Sequence, residues 1–471
     1  MIKKWVSGSK VTAFARLFKV SLEISKEMTL FVTMKTKKAL HISMTVFGII
    51  LLGGCLYLDR LMPIITGYAA KNLASAVFVS GREPSDVEDT DLHFSFIQFN
   101  HNKVDYEGRT VTSRFLWRKS VAVYREGYGV TLLRGGKAAD LAPYPLEPDT
   151  LQPRPMVPGD SAYAAALSPI AKALVDDRSY NGTPFAFVVL HRGGLVAERY
   201  REGFSAQTRL LSWSMAKSFT NALIGLMVRD SLVDVNAPMD IPQWQGDDRK
   251  AITLNNLMQM QSGLSWNENY GNRSDVNLML HRETDMGLYP LEKPLEHKPG
   301  THWYYSSGNT NIVMRYLRGQ FPSDTAFLSY QREQLFAPLG IRNAVFEPDM
   351  SGTPVGSSYL YATARDYARF GQLFLDDGCV DGTRILPEGW VDYTVTPASA
   401  SGGQYGAFFW LNRGGTYPDA PEDLFECRGH DGQEIFIIPS KELVVVVLGF
   451  SPKPDHVIQW NRLLKVIIDA R

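Results

Sequence analysis

Cysteine is scarce in this chain: among 471 residues only Cys55, Cys379 and Cys427 occur. Cys55 lies in an apolar run, so at most one disulfide, Cys379 to Cys427, is available, and a disulfide-stapled fold is excluded. Cysteine and histidine nowhere fall at zinc-binding spacing, and His-Glu-x-x-His is missing, so the sequence offers no metal mechanism. No cofactor is implied. Net charge is lacking as well, with Lys+Arg 49 against Asp+Glu 49. Without a basic stripe or a recognition motif, nucleic acid is not an expected partner. Internal repeats and low-complexity tracts are also missing.

What is present near the N-terminus is one long apolar run. Residues 42–58 read ISMTVFGIILLGGCLYL, close to the minimum length of a membrane-spanning helix. Lys35, Lys37 and Lys38 precede it, and Asp59 and Arg60 follow. The positive-inside rule then leaves the N-terminus in the cytoplasm and sends the remainder across, to the periplasmic side of a bacterial inner membrane. An uncleaved signal anchor is the preferred reading, because apolar sequence continues through Leu61-Met62-Pro63-Ile64-Ile65. A cleaved signal peptide and a lipid-attachment box at Leu52-Gly53-Gly54-Cys55 are the alternatives. Met34 offers a second, more compact start for such a segment.

Four regions follow from composition: a basic segment and membrane anchor over 1–60, a small β-rich module over 61–141, a proline-rich link over 142–158, and a large domain over 159–471. In the module, residues 69–79 suit a short helix. The runs Thr110-Val-Thr-Ser-Arg-Phe-Leu-Trp117 and Ser120-Val-Ala-Val-Tyr124 alternate as strands do, between turns at Glu126-Gly127 and Arg134-Gly135-Gly136. Pro143, Pro145, Pro148, Pro153, Pro155 and Pro158 make the link extended. In the large domain, Ser161–Val175 reads as a helix. Phe185 to Leu190 and Leu195 to Tyr200 flank Arg192-Gly193-Gly194 as a hairpin. Near the C-terminus, Glu434 to Ile438 and Leu443 to Leu448 form another, and residues 457–470 carry the apolar stripe of a terminal helix. The bracketing strands predict one antiparallel sheet with both end helices on one face, around a largely helical middle: an α+β architecture.

Chemistry gathers at Ser214-Met215-Ala216-Lys217. At helical spacing Ser214 and Lys217 share a face, and the helix they open, running into Phe219-Thr-Asn-Ala-Leu-Ile-Gly-Leu-Met-Val228, is apolar almost all round. A serine there is ordinarily only a cap, and Ser7-Gly8-Ser9-Lys10 shows how cheap the motif is. The lysine changes the weighing. Buried in a first turn, where the helix dipole disfavours a cation, it becomes accessible as a neutral base. A second element is His302-Trp-Tyr-Tyr-Ser-Ser-Gly-Asn309, in which a tyrosine beside an ammonium can carry a proton; alone, it would read as aromatic core. A third is Cys427-Arg428-Gly429-His430-Asp431-Gly432, whose glycines let backbone N–H groups approach a ligand; alone, it would read as a turn.

In type and order these elements resemble the β-lactamase-related serine hydrolases with the β-lactamase/transpeptidase-like fold: class C β-lactamases, D-alanyl-D-alanine carboxypeptidases, family VIII esterases and 6-aminohexanoate-dimer hydrolases. The runs Ala251 to Leu264 and Thr363 to Gly371 strengthen the resemblance, which covers roughly 159–471. It implies Ser214 as nucleophile, Lys217 as its base and Tyr305 as the proton shuttle to the leaving group. It also implies an oxyanion site at the backbone of Ser214 and His430 beside Gly432. Ser307 stands where class C enzymes carry asparagine, as in the hexanoate-dimer hydrolase and esterase branches. Cys427-Arg428-Gly429 replaces the usual Lys-Thr-Gly, leaving Arg428 or His430 to offset a lysine that helps hold a β-lactam carboxylate. A literal Tyr-x-Asn at Tyr270-Gly271-Asn272 sits in a loop setting that favours a substrate-side role for Tyr270, which stays the alternative to Tyr305. The implied activity is acyl-enzyme hydrolysis of a small amide or ester, with β-lactamase or D-Ala-D-Ala carboxypeptidase activity as the alternative. A non-catalytic binding protein keeping the fold is the competing class, and joint retention of Ser214, Lys217 and Tyr305 argues against it.

Overall fold

The computed structural model describes residue 20 and residues 37–146, 154–271, 273–452 and 455–471. Ser7 to Lys10, Met34, Lys35, Pro148, Pro153 and Asn272 lie outside the described residues. The chain falls into two units, Met1–Met62 and Pro63–Arg471.

In the first unit the described residues belong mainly to helix Lys37–Phe78, and Ile49, Ile50, Leu51, Leu52 and Leu56 are exposed along it. Met44–Phe78 is long and apolar enough to cross a membrane. The part beyond Pro63 has a different environment, with Ala69, Ala70, Leu73 and Ala74 fully buried in the second unit. The spanning stretch and the expected short helix over 69–79 are therefore pieces of one helix, running through Pro63. Composition changes along this helix, from the aliphatic run of 42–58 to the alanine-containing 69–79, and that makes the sequence read as two elements.

The second unit opens with the antiparallel sheet β1–β2–β3–β4, in that order: His101–Asp105, Thr110–Phe115, Arg118–Arg125 and Gly129–Leu133. Strands β5 (Pro184–His191) and β6 (Gly194–Tyr200) form the expected hairpin. β7 (Arg209–Leu211), β8 (Val345–Phe346) and β9 (Leu360–Thr363) make a small sheet ordered β7–β9–β8, and β10 (Cys379–Val380) pairs with β11 (Thr383–Arg384). β12 (Trp410–Leu411), β13 (Phe425–Gly429), β14 (Gln433–Ile438) and β15 (Leu443–Gly449) complete a six-stranded antiparallel sheet, ordered β12–β13–β14–β15–β5–β6. Strands from opposite ends of the domain thus lie side by side, with Leu443 opposite His191.

That sheet is buried on both faces, and the two-residue period of β15 shows it. Leu443, Val445 and Val447 pack with helices Ser161–Val175 and Trp460–Asp469. Val444, Val446 and Leu448 pack on the other side with helices Ala216–Arg229 and Ala364–Leu375. Both end helices share one face, as the apolar patterning predicts. The terminal helix starts at Trp460 instead of 457, because the Gln459 N–H is drawn out to Tyr180 O at 2.8 Å. Cys379 and Cys427 are free thiols, since Cys427 is buried against the nucleophile-bearing helix rather than turned toward Cys379.

Candidate active site

Strand β7 leads straight into the turn that carries Ser214. The Ser212 N–H donates to Leu360 O at 2.8 Å, and Trp213 then takes φ +45°, a left-handed conformation that costs a non-glycine residue about 1–2 kcal/mol. Its neighbours hold it there: Tyr68 stacks on the indole at 6.2 Å, and His430 meets it edge-on at 5.7 Å. Ser214 follows in a short 3-10 turn that opens into helix Ala216–Arg229. This helix is buried nearly all round, and its polar side chains find backbone partners, as where Ser218 Oγ donates to Phe408 O.

Lys217 is one turn on and 1 % exposed. Its ammonium donates to Ser214 Oγ at 2.9 Å, Ser307 Oγ at 3.0 Å and Ser357 O at 3.0 Å. All three N–H donors meet neutral oxygens, so the group is satisfied without a carboxylate in contact. Burial therefore dominates, lowering its pKa from the ordinary 10.5 to about 8, while the charge of Glu268 acts weakly the other way.

Tyr305 precedes helix Ser307–Gly319, which Ser306 caps by accepting the Asn309 N–H at 3.1 Å. Tyr305 and Ser214 line the same cleft, and Lys217 Nζ lies 4.9 Å from the Tyr305 ring centre. Burial pushes the phenol above its ordinary value, with Ser214 nearby acting the other way. Trp410 stacks on the ring at 5.2 Å and fixes its plane.

Ser307 bridges Lys217 to Glu268, a residue the sequence reading did not single out. The Glu268 carboxylate accepts from Ser307 Oγ at 2.5 Å, Ser307 N at 2.9 Å and Tyr270 OH at 3.2 Å, with Trp266 as a further donor. A chain of polar contacts so runs Ser214–Lys217–Ser307–Glu268–Tyr270. Glu268 stands two residues before Tyr270 in a loop with no periodicity, so no spacing rule could have marked it.

His430 occupies the tip of the β13–β14 turn, stacked on Tyr270 at 4.8 Å, with Nε2 3.3 Å from Asp431 Oδ1. Asp431 and Gly432 take positive φ of 56° and 88° to close the turn. A Cβ on Gly429 would fall 2.3 Å from Ser212 O, so only glycine lets this strand end approach the nucleophile turn. Arg428 does not supply a spare cation where the usual lysine is missing. It pairs with buried Glu426, lies 3.7 Å from Glu434 Oε1 and covers Trp410, so its charge is answered within the sheet. That leaves His430 alone as the offset expected from the sequence.

Ser214, Tyr305, Tyr270, His430, Gly432 and Arg428 line one cleft of about 360 Å³, walled further by Trp410 and Trp460. Among the described residues no group of three or more His, Cys, Asp or Glu is placed to hold a metal ion. The constellation suits nucleophilic attack by a serine hydroxyl whose proton has a nearby basic acceptor.

A beta-lactamase family model matches residues 170–466. The 6-aminohexanoate-dimer hydrolase of Paenarthrobacter ureafaciens is 26% identical over 308 residues, spanning 60% of this chain and 77% of that one. Among solved structures, a Bacillus anthracis protein provisionally assigned as a 6-aminohexanoate-dimer hydrolase superposes with TM-score 0.53 at 26% identity, over 63% of this chain and 79% of its own. A family VIII carboxylesterase shares the fold at TM-score 0.51 and 15% identity, over 68% of this chain and 100% of its own. With the family model covering more than half its length, the chain belongs to the beta-lactamase family.

Proposed function

We propose that the protein hydrolyses small linear amides or esters through an acyl-enzyme on Ser214. The observation that carries this reading is Lys217 Nζ at 2.9 Å from Ser214 Oγ, buried among neutral acceptors with its pKa lowered to about 8. Neutral Lys217 takes the Ser214 proton as Oγ attacks the carbonyl carbon. Tyr305, lining the same cleft as Ser214, passes a proton to the departing amine or alcohol. Backbone N–H groups of Ser214 and His430 receive the oxyanion, each such donor being worth roughly 3 kcal/mol. Water then enters by the reverse proton path and releases the acid. Ser307 and Glu268 hold the lysine in place, and Tyr270 with Gly432 shapes the substrate side.

The substrate preference rests on Arg428. With its charge held by Glu426, the cleft keeps no dedicated cation for a β-lactam carboxylate, and a linear amide such as a 6-aminohexanoate dimer fits better. Residues 42–58 anchor the protein in the membrane, and the lysines before them put the hydrolase on the periplasmic face. The test is fluorophosphonate labelling of wild type and Ser214→Ala, followed by turnover of p-nitrophenyl esters, the linear hexanoate dimer, nitrocefin and a D-Ala-D-Ala peptide. Equal labelling of both proteins refutes the nucleophile, and nitrocefin as by far the best substrate refutes the preference.

A further inference from the structure

A large cleft in the second unit has none of the proposed catalytic residues in its lining, and nothing in the hydrolase chemistry uses it. It measures about 800 Å³ and opens between the β3–β4 turn and the segment around Gln331–Phe336. Among the described residues five arginines and one glutamate line it, and Arg332 and Arg342 are already engaged. That glutamate, Glu126, is engaged by Arg109 at 3.1 Å.

Several groups in this cleft are donors without acceptors. Gln331 is 3% exposed, yet its Nε2 meets no hydrogen-bond partner. It opens a π-helical turn, an irregularity that occurs often at functional sites. Arg125 Nε is likewise buried and unpartnered. Its other nitrogens reach only neutral oxygens, Ala142 O and Thr131 Oγ1, and burial lowers its pKa. The Arg209 side chain, on β7, makes no hydrogen bond or ion pair among the described residues, and its charge acts on Asp366 and Tyr124. Native interiors rarely leave buried donors unmet, and each such group calls for an explanation, a bound water or ion among them.

The walls are built as well. Tyr144 packs edge-on to Tyr128 at 4.9 Å and closely covers Gly127, where a Cβ would come within 2.1 Å of its ring. Arg125 lies 4.3 Å over the Tyr128 ring centre.

We infer that this cleft binds an organic anion, a phosphate monoester or carboxylate whose body rests on the tyrosine wall, with Arg125, Arg209 and Gln331 donating to its oxygens. The missing partners are all acceptors, and guanidinium groups match the oxygen geometry of phosphate and carboxylate. A lipid headgroup and a soluble metabolite would present the same chemistry.

The test is calorimetric titration of the full chain in phosphatidylcholine nanodiscs with phenyl phosphate, benzoate and, as neutral control, phenol. Saturable binding of phenyl phosphate or benzoate but not phenol is expected, weakened at least about tenfold by Arg209→Met and by Gln331→Leu. Ser214→Ala should bind as wild type does, which separates this cleft from the proposed active site and from any failure of the hydrolase reading. Gln331→Leu removes a donor that meets no acceptor, so it should unfold no earlier than wild type on heating. Repeating the titration in phosphatidylglycerol nanodiscs separates the sources: competition identifies a lipid headgroup, and unchanged binding a soluble anion. The inference is overturned if neither anion saturates by roughly 10 mM, a concentration above the weakest useful affinities. Phenol binding as tightly, or binding that survives both substitutions, overturns it equally.

Discussion

Among the described residues two lysines are buried, and only one is placed to act as a base. Lys71, 2% exposed, pairs with the buried carboxylate of Glu347 and donates to Ser75 Oγ at 3.0 Å. Glu347 also accepts the Val130 N–H at 2.7 Å. The pair thereby ties helix Lys37–Phe78 to β4 and to the segment just after β8. Lys217 is as deeply buried, but each oxygen it touches is uncharged. Burial is common to both; a counter-ion in contact is not. Burial lowers the ammonium pKa at both sites and raises that of Glu347. Contact within the Lys71–Glu347 pair opposes both shifts and lets it serve as a clamp, whereas Lys217, facing hydroxyls and a carbonyl, can release its proton near neutral pH.

Substitutions can break this contrast from either side. Removing the base, by Lys217→Ala, or the nucleophile, by Ser214→Ala, should lower p-nitrophenyl ester turnover on the order of ten-thousand-fold. Lys71→Met should leave the catalytic chain Ser214–Lys217–Ser307 untouched. On the structural side, Glu347→Leu strands a buried cation and should cost about 3–5 kcal/mol in urea unfolding. A loss under about 1 kcal/mol would mean that Lys71 sheds its proton easily and that the contrast fails.

Glu268→Gln sharpens the comparison through pH. Acylation needs neutral Lys217, so its rate should rise with pH and level off above about 8. The Glu268 charge favours the ammonium form. Its removal should move that limb to lower pH, read from the pH profile of kcat/KM. Movement to higher pH would contradict the assignment. The smallest effect belongs to the double variant Lys71→Met/Glu347→Leu, expected within about 1 kcal/mol of wild type in the same urea assay, because an apolar pair of similar volume replaces an ion pair.

The sequence makes some of this legible and hides the rest for identifiable reasons. Ser214 and Lys217 are one turn apart on one helix, so their proximity follows from local geometry. The hairpins β5–β6 and β14–β15 are local too, with turn residues between β-branched runs, and the both-ends sheet follows from pairing them. Glu268 was hidden because its loop is brought to Ser307 only by tertiary packing. Arg428 was misjudged for a related reason: strand alternation places it beside Glu426 and Glu434, and the identity of a cross-strand neighbour needs the register. Helix Lys37–Phe78 reads as an apolar span over 42–58 and a separate short helix over 69–79 because composition changes along it while the backbone does not.

The pairing of β15 with β5 also governs when the protein can fold. The β5–β6 hairpin can close as soon as it is made, but the other edge of β5 stays open until Leu443 to Gly449 emerge. Every residue of β5 is buried in the finished sheet, so in that interval the strand offers apolar faces and unpaired backbone together, a template for intermolecular pairing. Closing so long a separation in sequence is slow. Chains ended before Leu443 would therefore be aggregation-prone fragments and not smaller hydrolases, and whatever protects this protein during synthesis must act on β5 until its last strand arrives.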